Sequence, residues 1–437
     1  MKTTNAIKPL SPLTIELREK KETALFVFLM TLVFSLSPLA IDMYLPALPA
    51  MATHFASSID AMEATVAVYL LGFALGQLFF GTIADSLDKR KLMLFGLFGF
   101  AISSFFIGNS DSQTSLYFWR AMQAFTSGSS VVVFAMVQQK YRNDRDGGAQ
   151  RSSQTISYIM SAVVVAPMVA PIIGSSLLLS FSWSMIFYVL GAFALLALCL
   201  QLSAFKILPV SEPKTLKLGN LLKGYKSIFS NKVTLAFVLA GGFSFAGLFS
   251  FIAGSPYVYM EYFNATPDQF AWLVALNAIS MITMNLVNAK VLGKVNPTKK
   301  LIFGGAAIFL VSIYLLVVGL LNLPLPFVVA GVVMYVGCLG FTSANAIAGA
   351  LTSAKEYAGL LSGINGVIQF GIGAGASALI SISASTSAMT MNTTMASCGA
   401  LCFICTLFLL KNKLIQGRQS PNRSAQDSTS QTINEGA

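Results

Sequence analysis

Twelve apolar runs, joined by connections that are alternately basic and free of basic residues, constrain this chain more than any other feature. The runs lie near 24–46, 62–84, 91–108, 114–138, 153–178, 184–205, 233–256, 269–292, 300–321, 326–352, 358–382 and 389–410. Their lengths are close to the roughly 17 to 25 residues that carry a helix across a bilayer. All but one of the 28 Lys and Arg residues fall in the two tails or in every second connection. Those connections are Lys89-Arg90-Lys91, Lys140 to Arg151, Lys206 to Lys232, Lys290 to Lys300, and the one holding Lys355. The exception, Arg120, lies inside the fourth run. A span count wrong by one would scatter the basic residues over both faces. Because Lys and Arg gather on the cytoplasmic side, the pattern predicts twelve spans with both termini cytoplasmic. Only 10% of the residues are charged and the mean hydropathy is +0.72, whereas a soluble domain carries about 25% charged residues. The expected fold class is therefore all-α integral membrane. The net charge of +11 reads as a topology signal, and no nucleic-acid partner is expected.

The longest basic connection divides the runs six and six. This predicts an N-tail at 1–22, a six-helix bundle at 23–206, a cytoplasmic linker at 207–232, a second six-helix bundle at 233–411 and a polar, disordered tail at 412–437. Two bundles related by an axis along the membrane normal are the plan of many secondary transporters. A faint internal repeat supports it: "GTIADSLDKRKLMLFG" follows the second run and "NAKVLGKVNPTKKLIFGG" the eighth. The first run is long enough to span and lacks a small-residue cleavage site, so it is expected to remain as an anchor. Small residues mark expected close approaches between helices. They are Gly72 and Gly76 in the second run, Ala162, Ala166, Ala170 and Gly174 in the fifth, and the glycines from Gly359 to Gly375 in the eleventh. The five cysteines lie in spans without accompanying His or carboxylate. They read as small core residues, with no metal and no disulfide framework.

Five stretches resemble the major facilitator superfamily and, within it, the Bcr/CflA branch of drug-resistance exporters. "AIDMYLPALPAM" (Ala40–Met51) is similar to that branch's first-helix signature. "GTIADSLDKRK" (Gly81–Lys91) is similar to the superfamily's loop motif, with Asp88 in place of the usual second glycine. "RAMQAFTSG" (Arg120–Gly128) resembles the fourth-helix motif, from which Phe125 departs. "APMVAPIIGS" (Ala166–Ser175) looks like the antiporter motif, with alanine and serine replacing most glycines. The fifth is "SPYVYMEYFNATPDQFAWLVALNA" (Ser255–Ala278). The resemblance implies a major facilitator fold, monomeric action, the bacterial inner membrane, and proton coupling through Asp42 and Arg120. It also implies a cytoplasmic latch involving Gly81, Asp85 and Arg90, and an antiporter helix carrying Ala170, Pro171 and Gly174.

The residues themselves say something similar. An ionised carboxylate in hydrocarbon costs roughly +2.5 to +3.5 kcal/mol on insertion scales, so Asp42 needs a partner, water or a proton. Arg120 lies at comparable depth from the same side, and the two could meet directly or through water. In one reading Asp42 gives up its proton as cargo or Arg120 stabilises its charge. In the other it is structural, capping the broken helix end before Pro46. Asp85 either helps latch the bundles or merely accompanies the topology-setting basic cluster. Polar and aromatic residues within spans are the candidates for a substrate cavity: Tyr44, Gln123, Tyr158, Asn277, Asn345 and Gln369. Glu63, at the outer start of the second run, is expected to be in water, as is His54.

No Walker-type phosphate loop occurs in the sequence, so no nucleotide or other cofactor is expected and a proton gradient would supply the energy. The expected function is proton-coupled export of drugs or other small amphiphilic compounds. The alternative is a dedicated exporter of one endogenous metabolite, such as a siderophore or an amino acid derivative. An intramembrane enzyme would require paired carboxylates, a His base or a metal cluster within the spans, so no enzymatic activity is expected. A receptor or scaffold would show no proton-linked flux.

Overall fold

The computed structural model describes residues 12–84, 86–141, 151–152, 155–156, 158–159, 165–206, 208–210, 218–288, 295–353, 358–383 and 388–434. Every regular element among them is helical. Helix α1 (Pro12–Asp42) leads through a 3-10 turn (Leu45–Ala47) into α2 (Leu48–His54). Helices α3 (Ile59–Ile83), α4 (Lys89–Gly108) and α5 (Gln113–Ser127) follow. A second 3-10 turn (Gly128–Val131) joins α5 to α6 (Val132–Lys140). Helices α7 (Ala166–Leu178) and α8 (Ser184–Ser203) complete the first half. Helix α9 (Leu218–Ser230) lies in the connection between the halves. The second half begins with α10 (Lys232–Pro256), which passes into a π turn (Tyr257–Tyr262). It continues with α11 (Pro267–Leu286), α12 (Pro297–Leu320), α13 (Leu325–Ser353), α14 (Ala358–Ile382) and α15 (Met389–Asn434).

Ten helical stretches among the described residues are long and apolar enough to cross a membrane. The two remaining expected spans explain the difference from twelve. The fourth is divided by the turn at Gly128–Val131, so neither piece is long enough alone. The fifth is described as α7 and, before it, only as isolated helical positions between 151 and 159.

Helix starts follow local chemistry. Ser58, Asp88, Ser112, Asn231, Thr266 and Asn296 each stand just before a helix and accept a backbone N–H with the side chain. Each such cap satisfies an otherwise unpaired donor and is worth about 1 kcal/mol. Asp88 and Asn296 do this at equivalent places in the two halves, opening the third and ninth spans, so the faint sequence repeat has a structural counterpart. Helix α9 is fastened to the second half: Ile228 is buried with Phe237, Leu301 and Leu361. Helix α15 continues to Asn434, where the polar composition led us to expect a disordered tail. Extending an existing helix avoids the nucleation cost that a new one would carry.

The halves meet where α3 runs along α14 and α7 along α11. Within the first half, α3 and α5 touch backbone to backbone: a Cβ on Gly76 would collide with the Phe125 carbonyl. The eleventh span bears out the expected close approach in part: a Cβ on Gly366 would run into Gln77 Oε1 and one on Gly373 into the Phe249 ring. Additions at Gly363, Gly371 and Gly375 of α14 would meet nothing within 4 Å. At those three positions an added methyl group would find open space.

Candidate functional site

The end of α1 organises the centre of the first half. The last carbonyls of a helix have no partner within it and carry its negative dipole end. One of them, Ala40 O, accepts a hydrogen bond of 2.7 Å from Arg120 Nη2. Arg120 is fully buried. Its Nη1 donates to Gln123 Oε1, one helical turn on, at 2.6 Å. Gln123 Nε2 donates to Ser104 Oγ at 2.7 Å, tying α5 to α4. The guanidinium lies 4.1 Å from the Tyr44 ring centre and 4.4 Å from that of Tyr69. A desolvated cation over an aromatic face gains about 2 kcal/mol or more. Tyr44 is held in turn by a 2.8 Å hydroxyl contact with Thr65.

Asp42 is the last residue of α1 and is 5% exposed. Among the described residues, no hydrogen bond or ion pair links it to Arg120, so of the two ways they could meet, the direct one is not formed. The terminal nitrogens of the arginine are engaged by a helix end and an amide, and two rings cover it, while its Nε has no partner; the Asp42 carboxyl borders a cavity. That cavity, of about 190 Å³, lies between the halves. Asp42, Ser37 and Pro167 border it from the first half, and Phe245, Phe249, Asn277 and Phe370 from the second. Its walls are mostly apolar, with Asp42 the one ionisable group among the described residues that line it. Asn277 is 4% exposed and neither its amide oxygen nor its amide nitrogen has a partner. An unpaired buried amide costs about 1–3 kcal/mol, so it is poised to gain from a ligand.

Gly174 lets α7 reach this region, since a Cβ there would run into the Met43 carbonyl beside Asp42. Ala170 and Pro171 are buried on the same helix.

Of the six residues expected to line a cavity, only Asn277 borders this one. Tyr44 and Gln123 belong to the arginine cage. Asn345 bonds within the second half, to Asn288 Oδ1 at 3.2 Å and to the Phe341 carbonyl at 2.7 Å. Gln369 faces Asn365 at 3.5 Å on its own helix. Tyr158 is 65% exposed. Polar character inside a span singled these residues out, but in four of them it serves other protein groups. Sequence reasoning missed the phenylalanines of the cavity, because the chain has 34 of them and no pattern distinguishes those that face inward.

Asp85 lies outside the described residues. Its neighbour Arg90 bonds both carboxyl oxygens of Asp88, at 3.1 and 2.7 Å, and covers the Phe205 ring at 4.3 Å. These contacts stay within the first half and do not bridge the bundles. The Arg90 hydrogen bond holds the Asp88 carboxyl below the usual carboxylate range. Gly81 is exposed, and a Cβ there would meet nothing nearer than Val131 Cγ1 at 4.0 Å.

Two further expectations need correction. Glu63 is not in water: it is fully buried, and its Oε1 accepts the Tyr257 N–H across the two halves at 3.2 Å. Cys199 is exposed on α8 and not a core residue, although Cys398 and Cys402 are buried.

The Major Facilitator Superfamily model matches this chain twice, over residues 30–254 and 239–434. The chain is 28% identical over 403 residues to a bicyclomycin resistance protein homolog of Haemophilus influenzae, covering 91% of this chain and 99% of that one. It is 32% identical to the multidrug resistance protein MdtL of Shewanella oneidensis over 165 residues, which is 37% of this chain and 40% of the relative. Among solved structures, a D-xylose-proton symporter superposes with a TM-score of 0.69 at 14% identity, covering 88% of this chain and 96% of that one. The nucleoside transporter NupG gives 0.67 at 13% identity, with 89% and 99% covered. These two likenesses concern the fold.

Proposed function

The chain belongs to the major facilitator superfamily, and we propose that it exports small, largely apolar compounds, drugs among them, in exchange for protons. It is a multi-pass membrane protein. In this reading it sits in the bacterial inner membrane with the basic face and both termini toward the cytoplasm. The single observation that carries the proposal is the cavity between the halves, with apolar walls, one carboxyl and one unsatisfied amide. Phe245, Phe249 and Phe370 suit a hydrophobic body, while Asp42 and Asn277 offer hydrogen bonds from opposite halves. The names of the relatives, bicyclomycin resistance and multidrug resistance, support drugs as cargo. At about 190 Å³ the space is below the roughly 300–1,000 Å³ of drug-sized sites. The halves must part around a larger molecule, which is what alternating access provides.

Asp42 is the group on which proton exchange would turn. A buried carboxyl without a cationic partner is cheaper to hold neutral than ionised, and cargo competes for the same corner of the cavity. Arg120, fixed by its cage, keeps α1, α4 and α5 together as that half moves.

The test is flux in proteoliposomes with an imposed pH gradient, using a panel of antibiotics, dyes and secreted metabolites. Wild type should move cargo against its gradient, with proton movement in the opposite direction. Asp42→Asn should still bind cargo but lose the uphill component. Uphill export by Asp42→Asn equal to wild type would sink the proton reading. A panel in which one metabolite alone is moved would point to a dedicated exporter.

A further inference from the structure

Glu63 does not line the cavity, yet among the described residues it is a second buried carboxyl at the junction of the two halves. It lies one turn into α3, on the face without basic connections, which is the outer face in the reading above. It is 0% exposed. Its Oε1 receives the Tyr257 N–H at 3.2 Å from the opposite half, and its Oε2 has no partner. Tyr257 opens the π turn that follows Pro256. Single π turns inside α-helices occur disproportionately at functional positions. Here the wide turn follows a proline and presents a backbone donor across the seam.

The surroundings hold no compensating charge. On its own helix the nearest ionisable residue is Asp60, and the π turn opposite carries Tyr257, Glu261 and Tyr262. From α5, Tyr117 donates its hydroxyl to the Ala61 carbonyl. His54, at the end of α2, packs against the Phe55 and Trp183 rings. Arg120 is engaged by Gln123, Ala40 and two tyrosine rings. No Lys or Arg occurs in any connection on this face. Among the described residues, no cation pairs with Glu63.

We propose that Glu63 is a proton-binding residue of the outer gate: the halves close over its neutral carboxylic acid and part when it ionises. An ion with one hydrogen bond, one orphaned oxygen and acidic neighbours is costly in a sealed seam. The same ion is hydrated at no penalty once the seam opens. Closing therefore takes a proton from the outside water, and opening returns it there. The site is separate from Asp42, and acidity outside would favour the closed outer face whether or not Asp42 exchanges protons with cargo.

The experiment uses the full chain in lipid nanodiscs, with native cysteines replaced and nitroxide labels at Thr53→Cys and Pro267→Cys. These positions are exposed on the two sides of the outer seam. Pulsed spin-resonance distances are recorded from mildly alkaline to mildly acidic pH. Wild type and Asp42→Asn should both shift toward the short-distance population as pH falls. Glu63→Gln should show the short population at every pH. Infrared spectra at neutral pH should contain a carboxylic acid C=O band that is lost in Glu63→Gln and kept in Asp42→Asn. The proposal is overturned if Glu63→Gln shifts with pH as wild type does. It is equally overturned if Asp42→Asn abolishes the shift, or if no infrared band depends on Glu63. Because Asp42→Asn is a separate arm, failure here leaves the antiport reading standing, and failure of antiport leaves this one.

Discussion

The two halves share an architecture but divide the chemistry. The first half buries Asp42, Glu63 and Arg120. Among the described residues, the buried polar groups of the second are neutral, Asn277, Asn288, Asn345, Ser377 and Asn392 among them, apart from Lys300 at a helix start. Lys300 donates to the Asn288 carbonyl at 3.2 Å. A protein built from repeats need not place charge symmetrically. One half can hold the ionisable groups in fixed geometry while the other supplies walls and moves against it. The glycines do not divide by half. Gly76 and Gly174 sit at backbone contacts in the first half and Gly340 at one in the second, while Gly363, Gly371 and Gly375 of α14 face open space.

The sharpest way to break this comparison is to remove the arginine. Arg120→Ala leaves Gln123 Oε1 and the Ala40 carbonyl without the arginine's hydrogen bonds and strips two tyrosine rings of their cation. A loss of about 3 kcal/mol or more is expected, since a large side chain leaves the core and buried polar groups are orphaned. The melting midpoint in detergent should fall sharply and transport should cease. Arg120→Lys should not restore transport, because an ammonium cannot bond Gln123 and Ala40 in the fork a guanidinium provides. Asn345→Leu in the neutral half should cost far less in the same melting assay. Equal losses would erase the distinction between the halves.

A second contrast uses one methyl group. Gly174→Ala drives a Cβ into the Met43 carbonyl, and overpacking of this kind costs about 1–3 kcal/mol. Gly375→Ala meets nothing within 4 Å and should leave stability and flux near wild type. If both variants behave alike, the open space along α14 has no bearing on motion.

Asn277→Ala sharpens the picture of the cavity. Cargo affinity should fall about tenfold, the worth of roughly one hydrogen bond at 1–1.5 kcal/mol, while the melting midpoint holds or rises as an unsatisfied amide disappears. Ligand binding measured beside thermal melting separates the two effects.

The smallest effect is expected at Asp88→Asn. Asn also caps helices well, so what is lost is the charged bond to Arg90, worth at most about 1 kcal/mol near the surface. The sign follows from the lowered folded-state value of Asp88. Such a carboxylate stabilises above its unfolded value, and the advantage fades as pH falls through the folded one. Wild type should therefore exceed Asp88→Asn in melting midpoint at neutral pH and converge with it only in acid below the ordinary carboxylate range.

Span positions were legible because apolar length and Lys/Arg placement are one-dimensional signals. The partners of Arg120 were not. Its acceptors are a backbone carbonyl at a helix end and two aromatic faces, neither of which has a sequence signature, so a nearby aspartate looked the natural partner. Glu63 was misjudged for a related reason. Position near the end of a span suggests water, and only the docking of the second half's π turn removes it. Asn277 was legible because an amide within an apolar stretch is conspicuous. Asn345 is just as conspicuous, and its bond to Asn288 could be found only in three dimensions.

The caged guanidinium has one more consequence, for cargo sign. Its ties to Ala40 and Gln123 keep it in place, so this part of the protein holds a fixed unit of positive electricity. With Asp42 neutral, a cation arriving beside it is repelled; with Asp42 ionised, the local total is zero and the visitor is tolerated. An uncharged compound faces no such toll, so if the cavity takes cargo as proposed, its surroundings would favour electrically neutral passengers.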